Sequence, residues 1–504
     1  MKKLGAILST CLLFSLPSVS LSATDEEVYK LLQQLVKEVQ ELKQENQYLK
    51  KEIERLKAQQ KTEIQEVKKE VKETKEKLAK KEENGILSGF FSKGAYGAGK
   101  SKVDFYGYIK GDLVWQDSAS VGTTYLLWAL PKEKGRHDST STITFRHSRF
   151  GLALTKPYKD FTIKGRFEMD FYTQSNDIEN RPWNPQHAPL RARLVYLEVI
   201  KDSWELRVGH DWMTIAQLYP HLSNFPAGSY MGNLAYRLTQ IRVTKNFKFS
   251  DGDLLKVQLA LDKPFNFAKL NSGLVIFDNE PDTDFGYPGV EARIAYHTKL
   301  FDGPALFALF GHYSGQEYKE DYKALSGDEK TTSFSTGLEL SLPLPFLKKY
   351  NPTLSGEFWY GQGLGGYYTG AVDQTARIKY WDKSESESKY VYATTLTGFD
   401  KNNDKVVSIT PVHAIGGWVE LGLKLTSKLQ SWFGWGIDNP LNSDLKGVSG
   451  ARLQQQMYYA HFLYRFVPEL GAGLEYLRAI TDYRESDGDD GIVNRFMLSF
   501  YYFF

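Results

Sequence analysis

The chain has 504 residues, a formal net charge of +2 and a single cysteine, Cys11. The near-neutral balance and the lack of strong basic clusters argue against nucleic acid as the main partner. After the N-terminus there is no run of about 18–20 apolar residues of the kind that forms a spanning helix, although 14% of the residues are aromatic. These features leave a secreted globular protein or a transmembrane β-barrel, whose hydrophobicity is hidden in alternation.

The first 23 residues have the pattern of a secretory signal peptide. Lys2 and Lys3 precede an apolar stretch, Leu4–Leu16, and small residues follow around Ser22 and Ala23. We expect cleavage near Ser22–Ala23. Cys11 lies within this segment, so the mature chain is predicted to have no disulfide, no thiolate nucleophile and no cysteine metal ligand.

Residues 24–84 are predicted to form a periplasmic coiled coil. Apolar residues recur at heptad spacing in two seam positions, with charged residues elsewhere. The seams contain Val28, Leu35, Leu42, Leu49 and Leu56, and Leu32, Val39, Asn46 and Ile53. A solitary charged helix is the alternative. The seam composition by itself favours a two-stranded coil. The trimer that the family resemblance described below implies is given more weight. Residues 85–101 are glycine-rich and are predicted to be a flexible linker.

Residues 102–504 alternate between apolar and polar side chains in sixteen segments. These begin near residues 103, 148, 160, 190, 204, 234, 254, 289, 304, 333, 353, 412, 428, 454, 469 and 492. Seven short connections alternate with eight long ones, as sixteen up-and-down strands with both termini in the periplasm require. A β-sandwich has no reason to alternate in this way. The last segment places apolar side chains at every second position: Phe496, Leu498, Phe500, Tyr502 and Phe504. The predicted fold is an all-β, 16-stranded antiparallel transmembrane barrel preceded by an α-helical coiled coil.

Strand parity directs a set of basic residues toward the barrel lumen, together with several acidic ones. The basic residues are Lys110, Arg149, Lys164, Arg166, Arg191, Arg193, Arg207 and Arg242. Guanidinium groups bind carboxylate or phosphate, and a row of them favours the passage of anions. The alternative is that these charges pair across strands and only solvate the lumen. We expect lumenal arginines such as Arg191 and Arg193 to face water.

The third long loop, Met213 to Gly232, has almost no charge. This composition predicts that the loop folds into the barrel and narrows the channel, and the alternative is a subunit contact. Its constriction residues are predicted to be Tyr219, His221, Phe225 and Tyr230. The histidines are scattered, and we find no HExxH, GxSxG or P-loop pattern. The sequence therefore predicts no enzyme activity, no metal site and no cofactor.

Several motifs resemble those of the DcaP-like trimeric porins of Gram-negative bacteria. They are densest between residues 103 and 245. The matching segments are 105–110 (FYGYIK), 148–151 (SRFG), 166–172 (RFEMDFY), 190–193 (LRAR), 208–212 (VGHDW), 232–237 (GNLAYR) and 240–242 (QIR). The resemblance implies a sixteen-stranded barrel, assembly as a homotrimer, a periplasmic coil and diffusion of small anions such as dicarboxylates. The chain departs from the family in its long loop 364–405.

Together these patterns predict an outer-membrane porin for passive diffusion of small hydrophilic solutes, and the resemblance implies that these are anionic. The expected partners are outer-membrane lipid, further copies of the chain and small anionic solutes. The alternatives are a phosphate-selective porin and a structural tether that links the outer membrane to the cell wall through the coil. A trimeric adhesin would have the opposite proportions, with a long passenger before a short barrel.

Overall fold

The computed structural model describes most of the barrel and part of the N-terminal helix. The described residues are 30, 33–34, 36–37, 40–45, 47–55, 101–122, 124–131, 138–172, 190–224, 228–229, 231–234, 236–249, 252–263, 287–317, 330–366, 376–392, 405–484 and 490–504. Two compact units divide the chain at residues 98 and 99. The predicted signal peptide, most of the predicted coil and residues 85–100 of the linker lie outside the described residues.

In the first unit, the described residues between 30 and 55 are helical. The seam residues Leu42, Leu49 and Ile53 are exposed on this helix. An apolar stripe on a charged helix requires a partner surface to bury it. The pairing of this helix with another helix stays a prediction. Among the described residues, no helix is both long and apolar enough to cross a membrane.

The second unit is built from β-strands. The first half of the chain contributes β1 (Lys102–Gln116), β2 (Ser120–Val121), β3 (Trp128–Ala129), β4 (Thr140–Thr144), β5 (Arg149–Tyr158), β6 (Phe161–Asp170), β7 (Arg191–Lys201), β8 (Trp204–Trp212), β9 (Arg237–Lys248), β10 (Leu254–Lys263) and β11 (Gly289–Leu300). The second half contributes β12 (Gly303–Glu317), β13 (Lys330–Pro343), β14 (Thr353–Gln362), β15 (Ala376–Asp382), β16 (Glu387–Tyr392), β17 (Lys405–Pro411), β18 (His413–Lys424), β19 (Leu429–Pro440), β20 (Arg452–Arg465), β21 (Leu470–Tyr483) and β22 (Gly491–Phe503). Two short 3-10 helices lie at Lys348–Tyr350 and Leu364–Gly366.

In the described residues, the sheet closes into a barrel with sixteen antiparallel strand positions. Each strand from β5 to β14 pairs with the next along the chain, β14 pairs with β18, and the order continues to β22. β1 pairs with β22, with Ile109 opposite Tyr502, which closes the barrel. β4 and β5 pair with successive parts of β1 and form one wall that residues 145–148 interrupt. The sixteen predicted strands are confirmed. The second of them also includes β4, so it begins at Thr140 rather than near 148.

The outer surface of the barrel is apolar because the alternation directs one face of each strand outward. On β22, Phe496, Leu498, Phe500 and Tyr502 are exposed, whereas the intervening residues from Val493 to Ser499 that point inward are buried. A water-soluble protein buries most of its large apolar side chains, whereas this barrel exposes them on its outer surface. A belt of exposed aliphatic and aromatic side chains is the surface that a lipid bilayer solvates.

The long connection between β14 and β18 carries its own three-stranded sheet, with β15 between β16 and β17. The sequence analysis treated this region as loop. The charged stretch 383–389 (KSESESK) forms the turn between β15 and β16 and the start of β16. Asp382 accepts hydrogen bonds there from Lys389 Nζ (2.8 Å) and from the Ser384 amide (2.8 Å). The contact with Lys389, followed by those with Ser384, holds the pKa of Asp382 well below its usual range. The described residues 376–392 and 405–411 of this connection are therefore a small sheet rather than an irregular loop.

Candidate functional site

The connection between β8 and β9, residues 213–236, enters the barrel and is called the inner loop. Its described part lies against the inward faces of the strands on the far side of the barrel from β8. Lys110 of β1 reaches this loop as well, since its Nζ donates to the carbonyl of Ser223 at 2.8 Å. The part of this loop that the structure describes therefore contacts inward-facing side chains of the barrel; narrowing of the channel by the loop stays a prediction.

Carboxylates of the wall hold the backbone of the inner loop. Within the described residues, six strands each contribute one buried acid that accepts a hydrogen bond from a loop amide. The pairs are Thr214 with Glu291, Leu218 with Glu339 (2.6 Å), His221 with Glu420 (2.7 Å), Ser223 with Glu475 (2.5 Å), Gly232 with Asp438 (3.0 Å) and Leu234 with Glu357 (3.0 Å). A loop without regular structure leaves many of its amides without a partner in a helix or sheet. The carboxyl oxygens of the wall supply such partners.

The inner loop is also held by apolar packing, which explains its uncharged sequence. Met213, Ile215 and Leu234 form a buried cluster with Phe310 of β12 and Trp359 of β14. A second cluster joins the loop to β20 to β22 and to the first long connection. This cluster contains Met231, Leu126, Ala129, Met457, Tyr459, Leu477, Ala479 and Val493.

Gly232 marks the closest approach of the inner loop to the wall. Its φ is +105°, and a Cβ atom there would lie 2.1 Å from the carbonyl oxygen of Gly417. The carbonyl of Gly232 also accepts a hydrogen bond from Trp359 Nε1 at 2.9 Å. Only glycine fits this position, because any side chain would push the loop away from β18.

The opposite wall, β5 to β8, exposes arginines to the lumen. We call Arg149, Arg166, Arg191 and Arg207 the arginine wall. Their side chains are 20–38% exposed, whereas the acids beneath them, Glu168, Asp170, Glu198 and Asp211, are only 2–5% exposed. The acids therefore neutralise much of the charge from below, and the surface that meets the lumen is cationic.

Aromatic rings and carboxylates orient the arginine wall. The guanidinium of Arg166 lies 4.7 Å from the ring centroid of Tyr106 and donates to its hydroxyl at 2.6 Å, while that hydroxyl donates to Glu168 at 3.0 Å. Arg207 lies 4.2 Å over the ring of Tyr196. Such stacking fixes the plane of a guanidinium while leaving its outer edge available to water or a solute.

Arg193 differs from its neighbour Arg191. A β-bulge in β7, opposite Glu168 and Met169, places it beneath the arginine wall. Its guanidinium bridges Glu168 and Asp170, both at 2.9 Å, and its side chain is 1% exposed. The expectation that Arg191 and Arg193 both face water is wrong for Arg193, because the bulge directs it into a buried ion cluster.

The other predicted site residues have different positions. Lys110 is buried against the inner loop and Asp112. Arg242 is buried and bonded to Asp211, and Lys164 is exposed near Glu198.

The predicted constriction residues lie in the inner loop. Tyr219 packs on Trp212 with ring centroids 4.7 Å apart. His221 is more than half exposed, stacks on Trp432 and contacts Glu420 through Nδ1 at 2.7 Å. Phe225 and Tyr230 lie outside the described residues.

The sequence analysis missed the role of the acidic residues that hold the inner loop. Glu291, Glu339 and Glu357 have lumenal parity in the sequence, but parity alone does not distinguish an acid that lines the lumen from one that binds a loop. Among the described residues, no group of three or more histidine, cysteine, aspartate or glutamate side chains has the arrangement of a metal site.

Comparisons with known proteins agree with the geometry at the level of fold. No model of a protein family matches the chain, and no curated protein matches its sequence. The crystal structure of the outer membrane channel DcaP of Acinetobacter baumannii is similar, with a TM-score of 0.58, 17% identity, and coverage of 82% of this chain and 99% of that chain.

Two further solved structures match more loosely. Salmonella typhi OmpF in complex with daunomycin has 13% identity and a TM-score of 0.46, with coverage of 80% of this chain and 98% of that chain. An anion-selective porin from Comamonas acidovorans has 10% identity and a TM-score of 0.45, with coverage of 80% and 100%. These two superpose too loosely to support an argument. The similarity to DcaP, together with the closed sixteen-walled barrel, shows that the chain has the porin fold that its motifs predicted.

Proposed function

We propose that the protein is an outer-membrane porin through which small anionic solutes, such as dicarboxylates, diffuse passively. In this proposal the barrel spans the outer membrane as a homotrimer, and residues 24–84 form a coil in the periplasm. The porin fold and the apolar outer surface support a membrane channel. The observation that carries the anion preference is the exposed arginine wall above its buried acids.

The position of the inner loop supports a narrow channel beside the arginine wall. The loop is bonded to strands from β11 to β21, so it occupies the side of the lumen opposite β5 to β8. A solute that passes between them meets guanidinium groups on one side. Their field raises the local concentration of anions and is weakened by salt.

The test is the ion selectivity of the purified protein in planar lipid bilayers. Under a gradient of potassium chloride, we expect the reversal potential to have the sign of a pore that passes chloride more readily than potassium. This preference for chloride should be largest at low salt. The variant Arg149→Gln/Arg166→Gln should shift this potential toward cations, because it removes two exposed charges from the arginine wall. A cation-selective wild type would overturn the anion preference.

Arg465→Gln is the matched control for the loss of charge. Arg465 is at the end of β20 and donates to the carbonyl of Pro468 at 2.7 Å in a short turn. Its replacement removes one positive charge outside the arginine wall, so selectivity should stay unchanged. Replacing chloride with succinate or with phosphate in the same assay distinguishes a dicarboxylate preference from a phosphate preference.

A further inference from the structure

Arg237 is a buried arginine that the arginine wall does not include. It is the first residue of β9 and pairs with Trp212, the last residue of β8. Its side chain is 8% exposed, and its Nε atom is buried without a hydrogen-bond partner. The guanidinium lies 4.7 Å from the ring centroid of Trp212. Within the described residues it forms no ion pair.

The surroundings of Arg237 make its positive charge costly. Arg193 and Arg191 act on it repulsively. Weaker attractions come from Tyr236 and from Asp170, a carboxylate that already binds both of those arginines. Arg193 also lies over the ring of Trp212, at 5.8 Å. Buried charges in proteins are normally paired, and stacking on one indole does not neutralise a guanidinium.

The position of Arg237 connects it to the channel. Trp212 packs on Tyr219 of the inner loop, and the amide of Met213 donates to the carbonyl of Tyr236 at 3.0 Å. Arg237 therefore lies where the two ends of the inner loop leave the wall. Arg191 of the arginine wall, whose side chain is 28% exposed, is close enough to Arg237 to repel it, so a solute at the arginine wall lies near the unpaired guanidinium.

We propose that Arg237 is the anchor of a discrete oxyanion site, which binds the carboxylate of a small organic acid or a phosphate during its passage. The planar fork of a guanidinium matches the two oxygens of such groups, and Trp212 holds its plane. This inference rests on the proposed function and deepens it, because a site gives saturable transport whereas a diffuse field gives selectivity alone.

The experiment measures how succinate and, separately, inorganic phosphate reduce the chloride current of the wild type and of Arg237→Gln. We expect the half-blocking concentration of the bound anion to rise about tenfold or more in Arg237→Gln, equivalent to the loss of one good bidentate contact. Arg166→Gln removes the same charge from the exposed wall, so it should lower selectivity but leave the half-blocking concentration within about twofold. Arg237→Lys keeps the charge without the fork and should give an intermediate value.

The outcomes separate the site from the proposed function. Equal effects of Arg237→Gln and Arg166→Gln would overturn the site and leave only a diffuse field. An anion-selective wild type that neither succinate nor phosphate blocks would also overturn the site while the proposed function stands. A cation-selective wild type would overturn the proposed function itself. If Arg237→Gln does not fold, an unchanged half-blocking concentration in Arg237→Lys counts against the site.

Discussion

Residues of the same type and the same strand parity have different roles on the basic side of the lumen. Arg166 is 38% exposed and stacks on Tyr106, whereas Arg193 is 1% exposed and bridges two acids. The exposed side chain contributes to the field that a solute meets. The buried one compensates Glu168 and Asp170 from within the wall, in addition to the exposed arginines that also contact these carboxylates.

Replacement of Arg193 is therefore predicted to destabilise the barrel. Arg193→Met leaves Glu168 and Asp170 buried with less compensation, and we expect the free energy of unfolding to fall by roughly 3–5 kcal/mol. The measurement is reversible unfolding in urea, in detergent micelles or lipid vesicles, followed by tryptophan fluorescence.

Arg166→Met is the matched control, because the same side-chain change at an exposed position should cost no more than about 1 kcal/mol. Equal losses of stability in the two variants would contradict the distinction between the buried and the exposed arginine.

At the scale of elements, the inner loop depends on the strands that face it. Glu475 of β21 accepts hydrogen bonds from the amides of Ser223 (2.5 Å) and Asn224 (2.9 Å) and is 1% exposed. Each such bond fixes a short piece of the loop, so the position of the loop inside the barrel is set by residues far from it in the sequence.

Glu475→Gln is predicted to loosen this end of the loop. The amide nitrogen of glutamine cannot accept a hydrogen bond, so one of the two loop amides loses its acceptor. We expect single-channel recordings to show larger current fluctuations than the wild type, with the barrel still assembled.

Glu205→Gln provides the comparison for this prediction. Glu205 accepts from Asn246 Nδ2 at 2.7 Å, at the end of β8 remote from the inner loop. Its replacement should leave the current noise unchanged. Quiet channels in Glu475→Gln would show that the apolar clusters hold the loop without this carboxylate.

At the scale of the whole molecule, the barrel closes on itself without the N-terminal unit. β1 pairs with β22 over nine residues, from Tyr108 to Gln116. The ring of Phe105 stacks on that of Phe504 at 5.0 Å, and Gly107 and Phe504 exchange backbone hydrogen bonds. A closed barrel leaves no unpaired edge strand.

Deletion of residues 24–84 is predicted to leave a folded, pore-forming barrel. Its outer surface can be covered by lipid or by a neighbouring copy, and its described strands pair with one another around the closed barrel. The measurements are heat-modifiable migration on gels and conductance in bilayers. A truncated protein that folds but runs as a monomer would assign trimer assembly to the coil, and one without pores would give the coil a further role.

The sequence by itself determined the number of barrel strands, their approximate starts and their lipid-facing sides. These follow from a period of two that is local to each strand, and from the alternation of short and long connections. The terminal strand illustrates this, since the residues predicted to be apolar and outward, from Phe496 to Tyr502, are the exposed ones.

Only the tertiary structure decided which inward-facing charges meet the lumen. The acids that hold the inner loop are as much as 252 residues away from their partners, as Glu475 is from Ser223, so no local pattern indicates the pairing. One extra residue in β7 directs Arg193 into a buried cluster. Arg237 is buried because the strand ends and the inner loop meet around it. Parity assigns a side chain to a face, whereas burial depends on which distant segment covers that face.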